Sequence, residues 1–177
     1  MKKINIVVML MVFLFLACKH ERPKPKSDEE VLAYKEPLVG VNKILVDRDS
    51  LRIAHYCKRK SLKMSLGKNG LWYRIEHIGK GDSAKYGMVA SIKYKVSLLE
   101  TGKVCYSSDS SGLKSFRIGK DDVESGLDIG IRMMREGDKA LFILPPNLAY
   151  GLLGDEKCIP ARSIIVYDVK LVKVSEK

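Results

Sequence analysis

Residues 118–151 read IGKDDVESGLDIGIRMMREGDKALFILPPNLAYG. Within them Leu127, Ile131 and Met134 recur at i, i+4 and i+7, the apolar stripe of one amphipathic helix. Asp121 reads as its N-cap, and Gly137-Asp138 ends it. Ala140–Leu144 is a short apolar run stopped by Pro145-Pro146, which fits a strand and not a second helix.

Working outward, strand patterns lie on both sides. Leu71–Ile75 is rich in β-formers and is followed by the turn Gly79–Asp82. Ile92, Tyr94, Val96 and Leu98 alternate with Lys93, Lys95 and Ser97, a half-buried strand, and Glu100–Lys103 turns the chain into Val104–Ser107. At the far end, Ile164–Val174 puts Ile165, Tyr167, Val169 and Leu171 on one face. The domain over 70–174 is therefore α+β: an antiparallel sheet wrapped around one short helix.

Upstream, residues 31–66 read as a helical arm. Ile53, Tyr56 and Cys57 fall at i, i+3 and i+4, with Asp47 or Asp49-Ser50 as helix starts and Val41–Val46 as an apolar extension. Lys58–Lys60 suits the last turn of a helix. The stripe is expected to pack on the following domain or on a second copy, the latter making a homodimer. Residues 18–30 contain Pro23 and Pro25, mixed charge and little apolar content, which makes them a flexible tether. Residues 1–17 carry Lys2 and Lys3, then an apolar run from Ile4 to Leu16, then Ala17. That is the layout of a secretory signal, too short for a comfortable membrane span.

The whole chain has 177 residues and a formal net charge of +11. Losing Lys2 and Lys3 with the signal leaves 30 basic against 21 acidic residues, spread over tether, arm and strand faces. An exported protein does not meet nucleic acid, so the charge fits solubility beside an anionic membrane better than a nucleic-acid groove. Four cysteines in this length do not make a disulfide scaffold. His20, His55 and His77 are scattered, no metal-ligand cluster, Walker loop or nucleophile elbow appears, and no cofactor is called for.

The order YKVSL, TGKV, YSS, then residues 118–151, then IPARSIIVYDVKL resembles the FKBP-type peptidyl-prolyl cis-trans isomerases over roughly 70–174. Phe15-Leu16-Ala17-Cys18 resembles the lipobox of bacterial lipoproteins, in which Cys18 would receive the lipid. Lipobox, arm and Val104–Ser107 together resemble the FKBP-type lipoproteins of gliding bacteria. The resemblance implies an FKBP-like fold and an isomerase that acts on proline-containing polypeptide clients. It also implies a lipid anchor on a bacterial membrane, the outer membrane by preference, facing the periplasm.

It further implies a pocket. Tyr94 takes an aromatic wall, Leu127 the floor, Tyr150 the hydroxyl that donates to a substrate carbonyl, and Tyr167 a Phe position on the last strand. Val123 and Glu124 meet the ligand backbone, and Ile159 lines the rim. Three positions depart from the family. Cys105 stands for a Phe, Tyr106 for an Asp, and Glu124 for an apolar rim residue. Backbone donation from residue 124 survives substitution, but lost aromatic area and charge predict weaker catalysis and poor binding of macrolide inhibitors. An FKBP-like binding module or chaperone with little activity is the alternative. Tyr94, Leu127 and Tyr167 taken singly read as core residues. Cys105 reads as a small buried hydrophobe. Cys158 is a disulfide candidate whose partner the sequence does not name.

Overall fold

The computed structural model describes residues 28–176. The expected signal of residues 1–17, the expected lipidation site Cys18 and the expected tether up to residue 27 lie outside that range. The chain divides into two compact units, 1–41 and 42–177. The described part of the first is helical.

The first helix, α1 (Asp28–Arg59), is one continuous element. It begins inside the stretch read as tether and runs through Asp47 and Asp49-Ser50, where helix starts were expected. Asp49 is buried because it accepts a bond from Arg162, at 2.9 Å, and pairs with Arg52 at 3.2 Å, so it serves as a tertiary anchor. Ile53 and Cys57 are buried against Leu99, Ile143 and Ile164, with Tyr56 partly buried beside them. Of the two packing partners left open for the stripe, the domain takes it. Residues 65–66, read as the end of the arm, instead form β1 (Ser65–Leu66).

The sheet continues with β2 (Trp72–His77), β3 (Val89–Leu98), β4 (Val104–Ser107), β5 (Lys114–Arg117), β6 (Lys139–Leu144) and β7 (Ile165–Ser175). All pairings are antiparallel, in the order β1-β2-β6-β7-β3-β4, with β5 also on β3. The strands β4 and β5 share one edge of β3: β4 pairs with Lys95–Ser97 and β5 with Val89–Ile92. Between them the chain makes a single helical turn, α2 (Ser108–Ser111), that leaves the sheet. Where the ladder breaks, Ser108 Oγ accepts the Tyr94 amide at 3.1 Å. A buried donor would otherwise go unpaired.

Against the concave face lies α3 (Ser125–Ile131). Its N-cap is Glu124, not Asp121; the Asp121 carboxylate instead accepts the Arg117 amide at 2.6 Å. The helix also stops before Met134, which stays buried at the end of the following turn. Leu127 and Ile131 are fully buried, as the stripe demands. Gly130 lets the helix approach closely, since a Cβ there would sit 2.5 Å from the Phe142 ring. On β7, Ile165, Tyr167, Val169 and Leu171 are all buried, the face read from their alternation. The Asp138 carboxylate closes the α3–β6 connection by accepting the Gly79 and Arg135 amides at 2.5 and 2.7 Å.

Candidate active site

The separation of β4 from β5 by α2 opens a cleft of about 400 Å³ over the sheet. Four tyrosines line it: Tyr94 from β3, Tyr106 from β4, Tyr167 from β7, and Tyr150 from the loop after β6. Ser111–Lys114 complete the mouth. The Tyr94 and Tyr167 rings lie 6.3 Å apart, tilted by 39°. Tyr94 Oη and Ser111 Oγ share a hydrogen bond of 3.1 Å.

Glu124 organises the inner wall. It is only 9% exposed. Its Oε1 accepts from the Tyr150 hydroxyl and, at 2.8 Å, from the Tyr167 hydroxyl. Its Oε2 pairs with Lys114 Nζ at 3.4 Å. Burial pushes this carboxyl up, but Tyr150, Lys114, its own amide and Tyr167 together outweigh that, so it lies below the ordinary carboxylate range and stays charged. Burial, then the Glu124 carboxylate, push the Tyr150 phenol far upward. Burial and the same carboxylate act likewise on Tyr167. Both phenols remain neutral donors to Glu124. The residue read at an apolar rim position is thus turned inward. Tyr150, expected to donate to a substrate carbonyl, already donates to a carboxylate.

A second anchor sits at the outer edge. Asp155 accepts the amides of Lys157, Cys158 and Ile159 at 3.0, 2.9 and 2.7 Å on one oxygen, and the Tyr106 hydroxyl on the other. Burial opposes its charge, but Tyr106 and the three amides prevail and hold the carboxyl down at about 2. The bond to Asp155, with burial, pushes the Tyr106 phenol up to about 12. Beside this pair Cys105 and Cys158 form a disulfide, with Cα atoms 5.5 Å apart. Cys105 is therefore half-buried and crosslinked, not a free small hydrophobe. Among the described residues Cys57 remains a free, buried thiol, pushed upward by burial. Disulfide and Tyr106–Asp155 bond together clamp the 155–159 loop onto β4.

The residues singled out from sequence fall into three groups. Tyr94, Tyr106, Tyr150 and Tyr167 meet in the cleft. Val123 and Glu124 line an adjoining depression of about 320 Å³ that shares Lys114 and Tyr150 with it. Leu127 and Ile159, 0% and 2% exposed, belong to the core beneath and line neither. Lys114, Ser111 and Asp155 were not anticipated. An Asp after Gly154 is a known turn signal, able to accept amides just ahead of it, and pointed to Asp155. Nothing local marks Lys114.

The architecture is thus an antiparallel sheet gripping one short helix, with an aromatic cleft between the β4–β5 crossover and the Tyr150 loop. The family model described as FKBP-type peptidyl-prolyl cis-trans isomerase matches residues 80–172, and the chain belongs to this family. A probable FKBP-type isomerase of Haemophilus influenzae is 33% identical over 124 residues, which cover 70% of this chain and 50% of that protein. Peptidyl-prolyl cis-trans isomerase FKBP53 of Arabidopsis thaliana is 34% identical over 117 residues, 65% of this chain and 24% of that one. The chain thus spans half or less of these relatives' length. The crystal structure of AtFKBP13 superposes with a TM-score of 0.60 at 32% identity, covering 63% of this chain and 98% of that one. FkpA of Escherichia coli shares the fold alone, at TM-score 0.63 and 24% identity over 97% of this chain and 82% of that one.

Proposed function

We propose that this protein catalyses cis–trans isomerisation of X–Pro bonds in exported polypeptides while held at a membrane by lipid on Cys18. The observation that carries the reading is the four-tyrosine cleft, lodged in the segment that matches the family. Rotation about an X–Pro bond crosses a barrier of roughly 20 kcal/mol and takes tens of seconds or more. The twisted amide has lost its resonance and is less polar than the planar one. A cleft walled by Tyr94 and Tyr167 that sheds water therefore favours it, with no nucleophile required. Commitment of the Tyr150 proton to Glu124 predicts modest rates, since a substrate carbonyl must compete with a carboxylate for it.

The Cys105–Cys158 disulfide supports export, because such bonds persist in oxidising compartments. Lipidation of Cys18, a periplasm-facing outer-membrane site and a part in gliding rest on the sequence pattern. The exposed Ile44 and Leu51 on α1 support a homodimer through the arm.

The test is proline-limited refolding of a model substrate with the full chain in detergent micelles. Acceleration at micromolar concentration is expected, and Tyr150→Phe should lower it. An uncatalysed rate together with suppression of client aggregation would establish the other reading, a binding module, which the Tyr150–Glu124 bond favours. Cys18→Ser should abolish partition into membranes.

A further inference from the structure

The cleft is short of protons to give. Three of its four phenols spend theirs on carboxylates: Tyr150 and Tyr167 on Glu124, Tyr106 on Asp155. What each phenolic oxygen has left to offer is an acceptor. The charges lean the same way. Glu124 and Asp155 back the tyrosines, and Asp122 joins Glu124 in the adjoining depression. Against these three carboxylates stands Lys114, among the described residues the one cation lining either hollow. Its Nζ reaches Glu124 Oε2 at 3.4 Å, long for a charge-assisted bond, from a side chain 31% exposed. Lys93 and Lys95 border a separate depression on the outer side of Tyr94. A basic protein has thus set an acceptor-lined cleft beside a depression whose carboxylates, Asp122 and Glu124, outnumber its one lysine.

We propose that the cleft selects polypeptides with Lys or Arg next to the proline. The incoming cation takes acceptors from the phenolic oxygens and displaces Lys114 from Glu124 Oε2. The proposal rests on the reading of the cleft as a proline-binding site. Glu124 is its specificity-determining residue, and Lys114 is the internal competitor that keeps the buried carboxylate paired when the cleft is empty.

The experiment measures binding and isomerisation separately, with the full chain in neutral detergent at about 0.15 M salt, where charges beyond roughly 8 Å are screened. The probes are short peptides with Lys, Arg, Leu or Glu on either side of one proline. Basic peptides are expected to bind about fivefold or more tighter than the Leu peptide, with Glu weakest. Glu124→Gln keeps an acceptor for both tyrosines and removes the charge. It should erase the basic preference and, with Lys114 left unpaired, shift it toward Glu. Lys114→Met, on the surface strand β5, should widen the basic preference and keeps the test alive if Glu124→Gln folds poorly. Equal binding of Lys, Leu and Glu peptides, or a preference for Glu in the native chain, overturns the proposal. Basic-selective binding without acceleration of isomerisation upholds it while overturning the catalytic reading. If no peptide binds, both fall.

Discussion

The core under α3 and the cleft above it are held by different physics. Beneath the helix, Leu127, Ile131, Phe142 and Val169 are fully buried and apolar. Their hold is non-directional, proportional to the area removed from water, and spread over many neighbours. At the cleft the partners are few and directional: two hydroxyls on Glu124, one hydroxyl and three amides on Asp155, and one disulfide. The first region makes the sheet close; the second sets where the Tyr150 loop stands relative to β3 and β4. Damage to the core should therefore lower stability without changing what the cleft prefers. Damage to the anchors should change the cleft at smaller cost to the fold.

The largest effect tests the core. Leu127→Ala removes a fully buried side chain and should lower unfolding free energy by about 3–4 kcal/mol in urea titrations. Because Leu127 does not line the cleft, peptide selectivity should hold in the folded fraction; a changed preference would make Leu127 a contact residue after all. Next comes the crosslink. Removing both sulfurs, as Cys105→Ala with Cys158→Ala, frees a loop spanning 53 residues in the unfolded chain. It should destabilise by about 2–4 kcal/mol and speed proteolysis within 155–159. An unchanged midpoint would mean that Asp155 alone holds that loop.

The contrast also explains what could be read from sequence. Periodicity is a local signal, and apolar cores obey it: the alternation of Ile165, Tyr167, Val169 and Leu171 yields their burial directly. Even so, the i, i+4, i+7 stripe overstates α3, because Met134 reaches the core from a turn as readily as from another helical residue. The helix-start signal at Asp49 misleads because this good N-cap type serves Arg162, 113 residues away, from within α1. The four tyrosines follow from the motif order. Their partners do not: Glu124 is 26 residues from Tyr150 and 43 from Tyr167, Cys105 is 53 from Cys158, and Tyr106 is 49 from Asp155. Pairings across such separations depend on where the strands come to lie, which no short window of residues contains.

Smaller effects sharpen the cleft side. Tyr167→Phe keeps the buried ring and deletes one of two donors to Glu124 Oε1. It should destabilise by about 1–2 kcal/mol, the range for leaving a buried acceptor short of a partner. Its readout beyond stability is Glu124 itself, whose carboxyl should titrate at higher pH by NMR once that donor is gone. A loss of stability with no movement of Glu124 would place the hydroxyl's role in packing instead.

The Tyr106–Asp155 anchor gives the mildest effect and a distinctive pH signature. Asp155 sits at about 2 in the folded chain, below the roughly 3.9 of an unfolded Asp, so its charged form is favoured by folding. Its contribution is fully present above about pH 4 and is lost as pH falls through the folded value. Tyr106 sits at about 12, above the roughly 10 of an unfolded Tyr, so its neutral form is favoured. Its contribution is fully present below about pH 10 and fades as pH rises toward 12. One bond thus supplies stability across a plateau with an acid edge and an alkaline edge. Tyr106→Phe removes the phenol and should make the alkaline edge shallower, the raised Tyr150 and Tyr167 keeping the rest, while leaving part of the acid edge, because the amides of Lys157, Cys158 and Ile159 still favour the carboxylate. Asp155→Asn should remove the Asp155 share of the acid edge and most of the Tyr106 share of the alkaline edge, leaving what Glu124, Tyr150 and Tyr167 supply. Melting temperatures of the three proteins from pH 2 to 11 decide it. If the alkaline loss in Tyr106→Phe is as deep as in the native chain, Tyr106 contributes none of it, and the clamp on the 155–159 loop rests on the amides and the disulfide alone.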